Sequence, residues 1–258
     1  DTIGYTEKPD TVASKITEGR VAIFVDGSPF VITAPYFFME NFHTGDDYAF
    51  NKYFGNSARL LRWGAFMVST LLPGFYIAIV THHFTLIPYS FVFRLAISRA
   101  GVPFPTIVEV LVMMLFFQIS REAGIRLPQP IGQSMSIVGA LILGDATVGA
   151  GIASQTTLII VALASISSFL VPKLYGVLWI WSTAITLFSA VLGLPGFYIS
   201  FCLFVAHMAG LNTCGYPYLY PIGTLRSYKY KDVFTRGNLN EISKDIFQED
   251  ESNEKNIG

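Results

Sequence analysis

The sequence predicts an all-α polytopic membrane domain of about four to six spans, some broken or re-entrant, with a small N-terminal β-hairpin segment. Three observations predict it. Only 14% of the 258 residues are charged, against about 25% in soluble domains. No Asp, Glu, Lys or Arg occurs from Leu174 to Leu225, and apolar windows near the roughly 20 residues a spanning helix needs recur along the chain. A run rich in Gly, Ala and Ser follows Pro130, and such residues let helices approach closely in lipid. Mean hydropathy is +0.49. A net charge of -1 gives no electrostatic footprint for nucleic acid. The opening residues do not read as a secretory signal peptide. Cys202 and Cys214 lie in or beside apolar windows and read as packing thiols, not a disulfide or metal pair.

Residues 1–56 are expected to be a remnant of a larger cytoplasmic N-terminal domain, because the chain opens without Met in polar sequence. Asp1 to Gly19 reads as a linker. From Arg20 to Pro35, two β-rich runs flank Asp26-Gly27-Ser28-Pro29, a strong turn signal, so a hairpin is predicted. Tyr36 to Asn56 is aromatic and acidic, and predicts an amphipathic helix near the membrane surface with its rings at headgroup depth.

Residues 57–225 form the expected membrane domain. Clear windows are Trp63–Thr81, Ile152–Val171, Leu174–Leu192 and Phe197–Leu211, the last two paired as a helical hairpin through Gly193-Leu194-Pro195-Gly196. Pro73-Gly74 inside the first window reads as a kink tolerated by neighbours, or as a hinge. His82 and His83 are adjacent and share no helix face, which argues against a metal site. Phe84 to Ala100 is too interrupted to span and reads as interfacial or re-entrant, and Val102-Pro103-Phe104-Pro105 opens a helix from Thr106. Tyr216 to Pro221 reads as an aromatic belt leaving the membrane. The basic residues that follow place the C-terminus on the cytoplasmic side, with residues 226–258 as a polar, disordered tail.

The candidate pore or gating residues are Glu109, Arg121, Glu122, Arg126 and Asp145. An acid at membrane depth needs a partner or water, so Glu109 is either a site or an interfacial residue favoured by the helix dipole. Arg121, Glu122 and Arg126 form a collar in which Glu122 and Arg126 can pair at i, i+4. The collar is either a solvated helix end or a charged ring at a pore mouth. Asp145 lies in a wet cavity or at an interface, and GDATVGAG lacks the Lys of a phosphate loop. Gly132, Ser136, Ala140 and Gly144 recur at i, i+4 and make a smooth helix-packing ridge. That ridge serves an oligomer or pore seam, or packs inside one protomer. Ser154, Gln155, Thr156 and Thr157 line water or hydrogen-bond neighbouring helices. No nucleophile–base pair or metal-ligand spacing stands out, so neither an enzyme nor a cofactor is expected.

The stretches EGRVAIFVDGSPF, DDYAF, LLRWGAF, VPFPTIVEVLVM, REAGIRLPQPIGQSMSIVGALILG, IIVALASISSFLVP and GYPYLYP, in that order, closely resemble the A subunit of GerA-type spore germinant receptors. The resemblance implies a membrane domain that follows a soluble N-terminal domain. It implies assembly with a transporter-like B subunit and a lipoprotein C subunit in the inner spore membrane. It further implies homo-oligomerisation into a nutrient-gated ion channel whose ion release starts germination. Gln118 stands where the family usually has an acid, Asp145 and Thr147 replace a Gln and an Ala, and Leu211-Asn212-Thr213 replaces an Arg-Ser-Phe-like run.

Overall fold

The structure is a computed structural model that describes residues 2–49, 51–126 and 144–220. It is mostly helical with two small antiparallel sheets, and it divides into two compact units. The first comprises residues up to Trp63 together with those from Ala206, and the second runs from Gly64 to Val205.

In the first unit the expected hairpin is present as β2 (Val21–Phe24) and β3 (Val31–Ala34), with Ile23 opposite Ile32. Gly27 takes φ +78 in the turn, a conformation open to glycine without Cβ strain. The linker expected over Asp1 to Gly19 is instead built. Gly4–Thr6 forms β1 on the other edge of β3, and Pro9–Thr17 forms helix α1, with Pro at its first turn and Val12 buried.

The surface helix expected over Tyr36 to Asn56 is also corrected. Phe38–Phe42 is a 3-10 turn, and Phe38, Met39 and Phe42 are buried at 4%, 4% and 0% exposure. Phe42 stacks on Trp63 at 3.9 Å. Of the aromatic belt expected at Tyr216 to Pro221, the described part, Tyr216 to Tyr220, folds back here too. Asn212–Thr213 pairs with Tyr216–Pro217, and Tyr218 is buried, its ring 5.9 Å from that of Phe38 and its carbonyl accepting from the Phe38 N–H. Aromatics read as membrane anchors are thus the core of the first unit, because each ring found another ring to pack against.

Ion pairs hold this core together. Glu40 accepts from Lys15 at 2.5 Å and from Arg20. Asp47 takes Arg62 through both oxygens, at 2.6 and 2.7 Å, and Arg62 also donates to the Phe42 carbonyl. Burial alone would raise both carboxyl pKa values. For Glu40 the charges of Lys15 and Arg20 win, and for Asp47 the hydrogen bonds from Arg62 and the Thr44 N–H win, so both are held below the ordinary carboxylate range. Burial, reinforced by Glu40, pushes the Tyr36 hydroxyl up.

The second unit holds most of the apolar helical residues, with the first turns of the helix at Lys52 and the last turn of the helix ending at Gly210 counted in the first unit. Helix α2 (Lys52–Ile77) continues as a π turn over Ala78–His82, and this Lys52–His82 stretch is long and apolar enough to cross a membrane. Pro73 lies within α2, and a Cβ at Gly74 would come within 2.8 Å of Ile185, so the Pro-Gly pair marks a close helix approach. Helix α3 (Tyr89–Arg99) is short and largely exposed, in keeping with a segment that does not span. Helix α4 is Thr106–Arg126, and residues 144–149 are helical. Helix α5 (Gln155–Ser168) has 14 residues, roughly 21 Å at 1.5 Å per residue, which is shorter than the window Ile152–Val171 suggested. Helix α6 (Tyr175–Leu192) with the preceding turn from Pro172 is the second stretch of spanning length, and α7 (Leu194–Gly210) follows at once. Gly193 makes that hairpin with φ +68. Among the described residues two stretches, not four, thus reach spanning length by composition and helix length.

Candidate functional site

The site is built from the start of α4. Pro103 and Pro105 lack N–H groups and fix the backbone where α4 begins, and the carbonyl of Pro105 accepts the Glu109 N–H at 3.2 Å. This puts Glu109 in the first turn, where the helix dipole favours an acid. Its carboxylate is nevertheless buried, at 1% exposure. The two alternatives read from sequence therefore merge: Glu109 is a first-turn acid and also a buried one with specific partners.

Those partners come from two other helices. Arg99, in the last turn of α3, donates to Oε1 at 3.2 Å. The Ser154 N–H donates to Oε2 at 3.0 Å, and the Thr157 hydroxyl to the same oxygen at 3.1 Å. Ser154 is the N-cap of α5, its Oγ accepting from the Thr157 N–H. Glu109 thus sits at the positive end of α5, a favourable place for an anion. Hydroxyls extend the network. Ser154 Oγ lies 2.9 Å from Thr157 Oγ1 and 3.2 Å from Thr156 Oγ1. Tyr76 of α2 reaches Thr157 at 3.2 Å, and Ser98 of α3 reaches Thr156 at 3.4 Å. Three helices therefore meet on one carboxylate, and α2 joins the network through Thr157, beside an apolar cluster that includes Ile77, Val110, Met113 and Val161.

A buried pair of this kind is weak evidence for stability, but breaking it strands a charge at a cost of about 3–5 kcal/mol. It is a joint: any motion that parts α3 or α5 from α4 must first separate Glu109 from Arg99 or from the α5 N-terminus. Nothing in it resembles a nucleophile with its base. Among the described residues no group of three His, Cys, Asp or Glu is placed to hold a metal ion.

The other sequence-selected residues lie elsewhere. Glu122 and Arg126 form the anticipated i, i+4 pair at 2.7 Å, well exposed. Arg121 does not belong with them, which corrects the collar. It is buried to 8% exposure, donates to Ser168 Oγ, and lies 3.7 Å from the Tyr175 ring centroid and 4.3 Å from that of Phe169. The turn from α5 to α6 folds these rings over it, and sequence spacing along α4 could not reveal that. Asp145 is exposed on the helical residues 144–149. Gly144 is buried, and a Cβ there would meet Leu158 at 3.3 Å, so this end of the small-residue ridge packs within one protomer. Gly132, Ser136 and Ala140 lie outside the described residues. Gln118 donates to the Tyr175 hydroxyl.

Sequence reasoning missed Arg99, Ser98 and Tyr76 as site residues. The signal for Arg99 was available: a cation ten residues before Glu109, across Gly101-Val102-Pro103, in a region of few charges.

Comparison with known proteins shows the family of the chain. Residues 1–245 match the family described as Bacillus/Clostridium GerA spore germination protein. The chain is 40% identical over 234 residues to the "Uncharacterized membrane protein YfkQ" of Bacillus subtilis (strain 168), covering 90% of this chain and 46% of that protein. It is 40% identical to "Spore germination protein KA" of the same organism over 91% of this chain and 44% of the relative. It is 37% identical to "Spore germination protein GerLA" of Bacillus cereus over 90% and 47%. The chain thus spans about half the length of these relatives. No solved structure matches it. The chain belongs to the GerA family of spore germination proteins.

Proposed function

We propose that this chain is the membrane portion of an A-type subunit of a nutrient-sensing spore germinant receptor, and that its copies oligomerise into a ligand-gated cation channel. The family match over residues 1–245 supports the receptor reading, and the stretches Lys52–His82 and Pro172–Leu192 support the membrane. In this reading the apolar α5 and α7 add crossings toward the expected four to six, with residues 57–225 in the inner spore membrane and both termini cytoplasmic. The transporter-like B subunit and the lipoprotein C subunit are its partners, and the ridge from Gly132 to Ala140 supplies the seam between copies.

One observation carries the gating part: the buried Glu109 is tied to α3 through Arg99 and to α5 through Ser154 and Thr157. Such a joint holds a resting arrangement and must loosen when the helices rearrange. The full-length subunit, oligomeric in liposomes with its partners, is the material for the test. Glu109→Gln keeps the shape but loses the charge, so cation flux without nutrient should rise several-fold. Absence of any nutrient-dependent flux from intact oligomers would remove the pore and leave a second reading, a non-conducting scaffold subunit of the same complex.

A further inference from the structure

We propose that Arg121 is an anion-binding residue, and that the anion is the phosphate of an anionic phospholipid headgroup. The case starts from a charge census of the second unit. Residues 64–205 hold only three acids, Glu109, Glu122 and Asp145. Glu109 is taken by Arg99 and Glu122 by Arg126, while Asp145 is exposed on the helical residues 144–149. Residues 127–143 contain no acid at all. Arg121 is therefore buried at 8% exposure with no carboxylate within salt-bridge reach among the described residues.

What it does touch is neutral. Its Nη atoms donate to Ser168 Oγ and, at 3.5 Å, to the Ser168 carbonyl at the C-terminal end of α5. The Tyr175 and Phe169 rings lie over the guanidinium at 3.7 and 4.3 Å. Nε is buried without a hydrogen-bond partner among the described residues. Ring quadrupoles and a helix end lower the cost of a buried cation but supply no full counter-charge. A planar guanidinium with an unused donor is suited to a tetrahedral oxyanion.

The position selects a lipid over a solute. Arg121 is one turn from the exposed Glu122–Arg126 pair, and it packs against Tyr175 at the head of a stretch of spanning length, just after the exposed Lys173. Aromatic and basic residues at such an end lie at headgroup depth, where anionic phosphates are concentrated. Phe169 is 49% exposed, so the ring covering one face of the guanidinium is itself at the surface and can turn aside. The inference rests on the membrane reading but not on the channel.

The test uses the full-length subunit in maltoside micelles, titrated with phosphatidylglycerol, with diacylglycerol of the same chains, and with sodium phosphate, and read by thermal shift and native mass spectrometry. Phosphatidylglycerol should raise the wild-type midpoint and stay bound; diacylglycerol and inorganic phosphate should not. Arg121→Gln should weaken phosphatidylglycerol binding at least tenfold, Arg121→Lys several-fold, and Arg126→Gln less than twofold. Equal binding of phosphatidylglycerol to wild type and to the Arg121 variants, or an equal loss in Arg126→Gln, would overturn the site. Equal effects of the two lipids would overturn the phosphate while leaving the membrane reading intact. Equal stabilisation by inorganic phosphate would overturn the lipid as source. Arg121→Lys keeps the charge, and serves if Arg121→Gln does not fold.

Discussion

Glu109 and Arg121 lie on one helix, both buried, and they solve the same electrostatic problem in opposite ways. Glu109 is compensated by an opposite charge, two hydrogen bonds and a helix N-terminus. Arg121 is compensated by two rings, one hydroxyl and a helix C-terminus, with one donor left over. The difference teaches where constraint resides. A carboxylate whose every oxygen is engaged fixes three elements to each other. A guanidinium among neutral groups is tolerated, and stays available to an outside anion.

The comparison breaks most sharply at Glu109. Glu109→Leu leaves Arg99 without its counter-charge and the Ser154 N–H unmatched, and should cost about 3–5 kcal/mol in chemical unfolding from detergent. If it costs less than about 1 kcal/mol, water reaches the site and the joint does not exist. Next comes Asp47 in the first unit, where Asp47→Asn weakens a two-oxygen contact with Arg62 and should cost about 2 kcal/mol by the same measurement. Tyr175→Leu removes the nearer ring from Arg121 and should cost about 1–2 kcal/mol. Arg121→Leu should fall within about 1 kcal/mol of wild type in lipid-free micelles, because it strands no counter-charge and Ser168 keeps its bond to the Ser165 carbonyl. Glu122→Gln is the smallest, about 0.3–0.5 kcal/mol, since that pair is exposed and screened.

Acid separates the two units by the same logic. Glu40 and Asp47 have depressed pKa values in the folded chain, so their contribution is complete above the ordinary carboxylate range and is lost as pH falls through and below it. Hydrogen-exchange protection factors, taken against the intrinsic rate at each pH, should therefore fall across α1, the Phe38–Phe42 turn and Tyr218 below about pH 4. Unchanged protection there at pH 3 would mean that ring packing alone holds the first unit.

The sequence by itself determined the helical, apolar character of the chain, the hairpin turning at Asp26-Gly27, the α6–α7 turn at Gly193, the i, i+4 pair of Glu122 and Arg126, and the family. These follow from composition, local turn chemistry and spacing within one element, all of which are written along the chain. It marked Glu109 as unusual without saying what it meets. Only the tertiary structure decided that Glu109 joins Arg99 to the start of α5, that Arg121 leaves its collar for a pair of rings, and that the aromatics of 36–42 and 216–220 build a core. Each of those outcomes depends on which surface lies opposite. An aromatic or a charge reads the same in sequence whether it faces lipid, water or a partner tens of residues away, and folding alone supplies that partner.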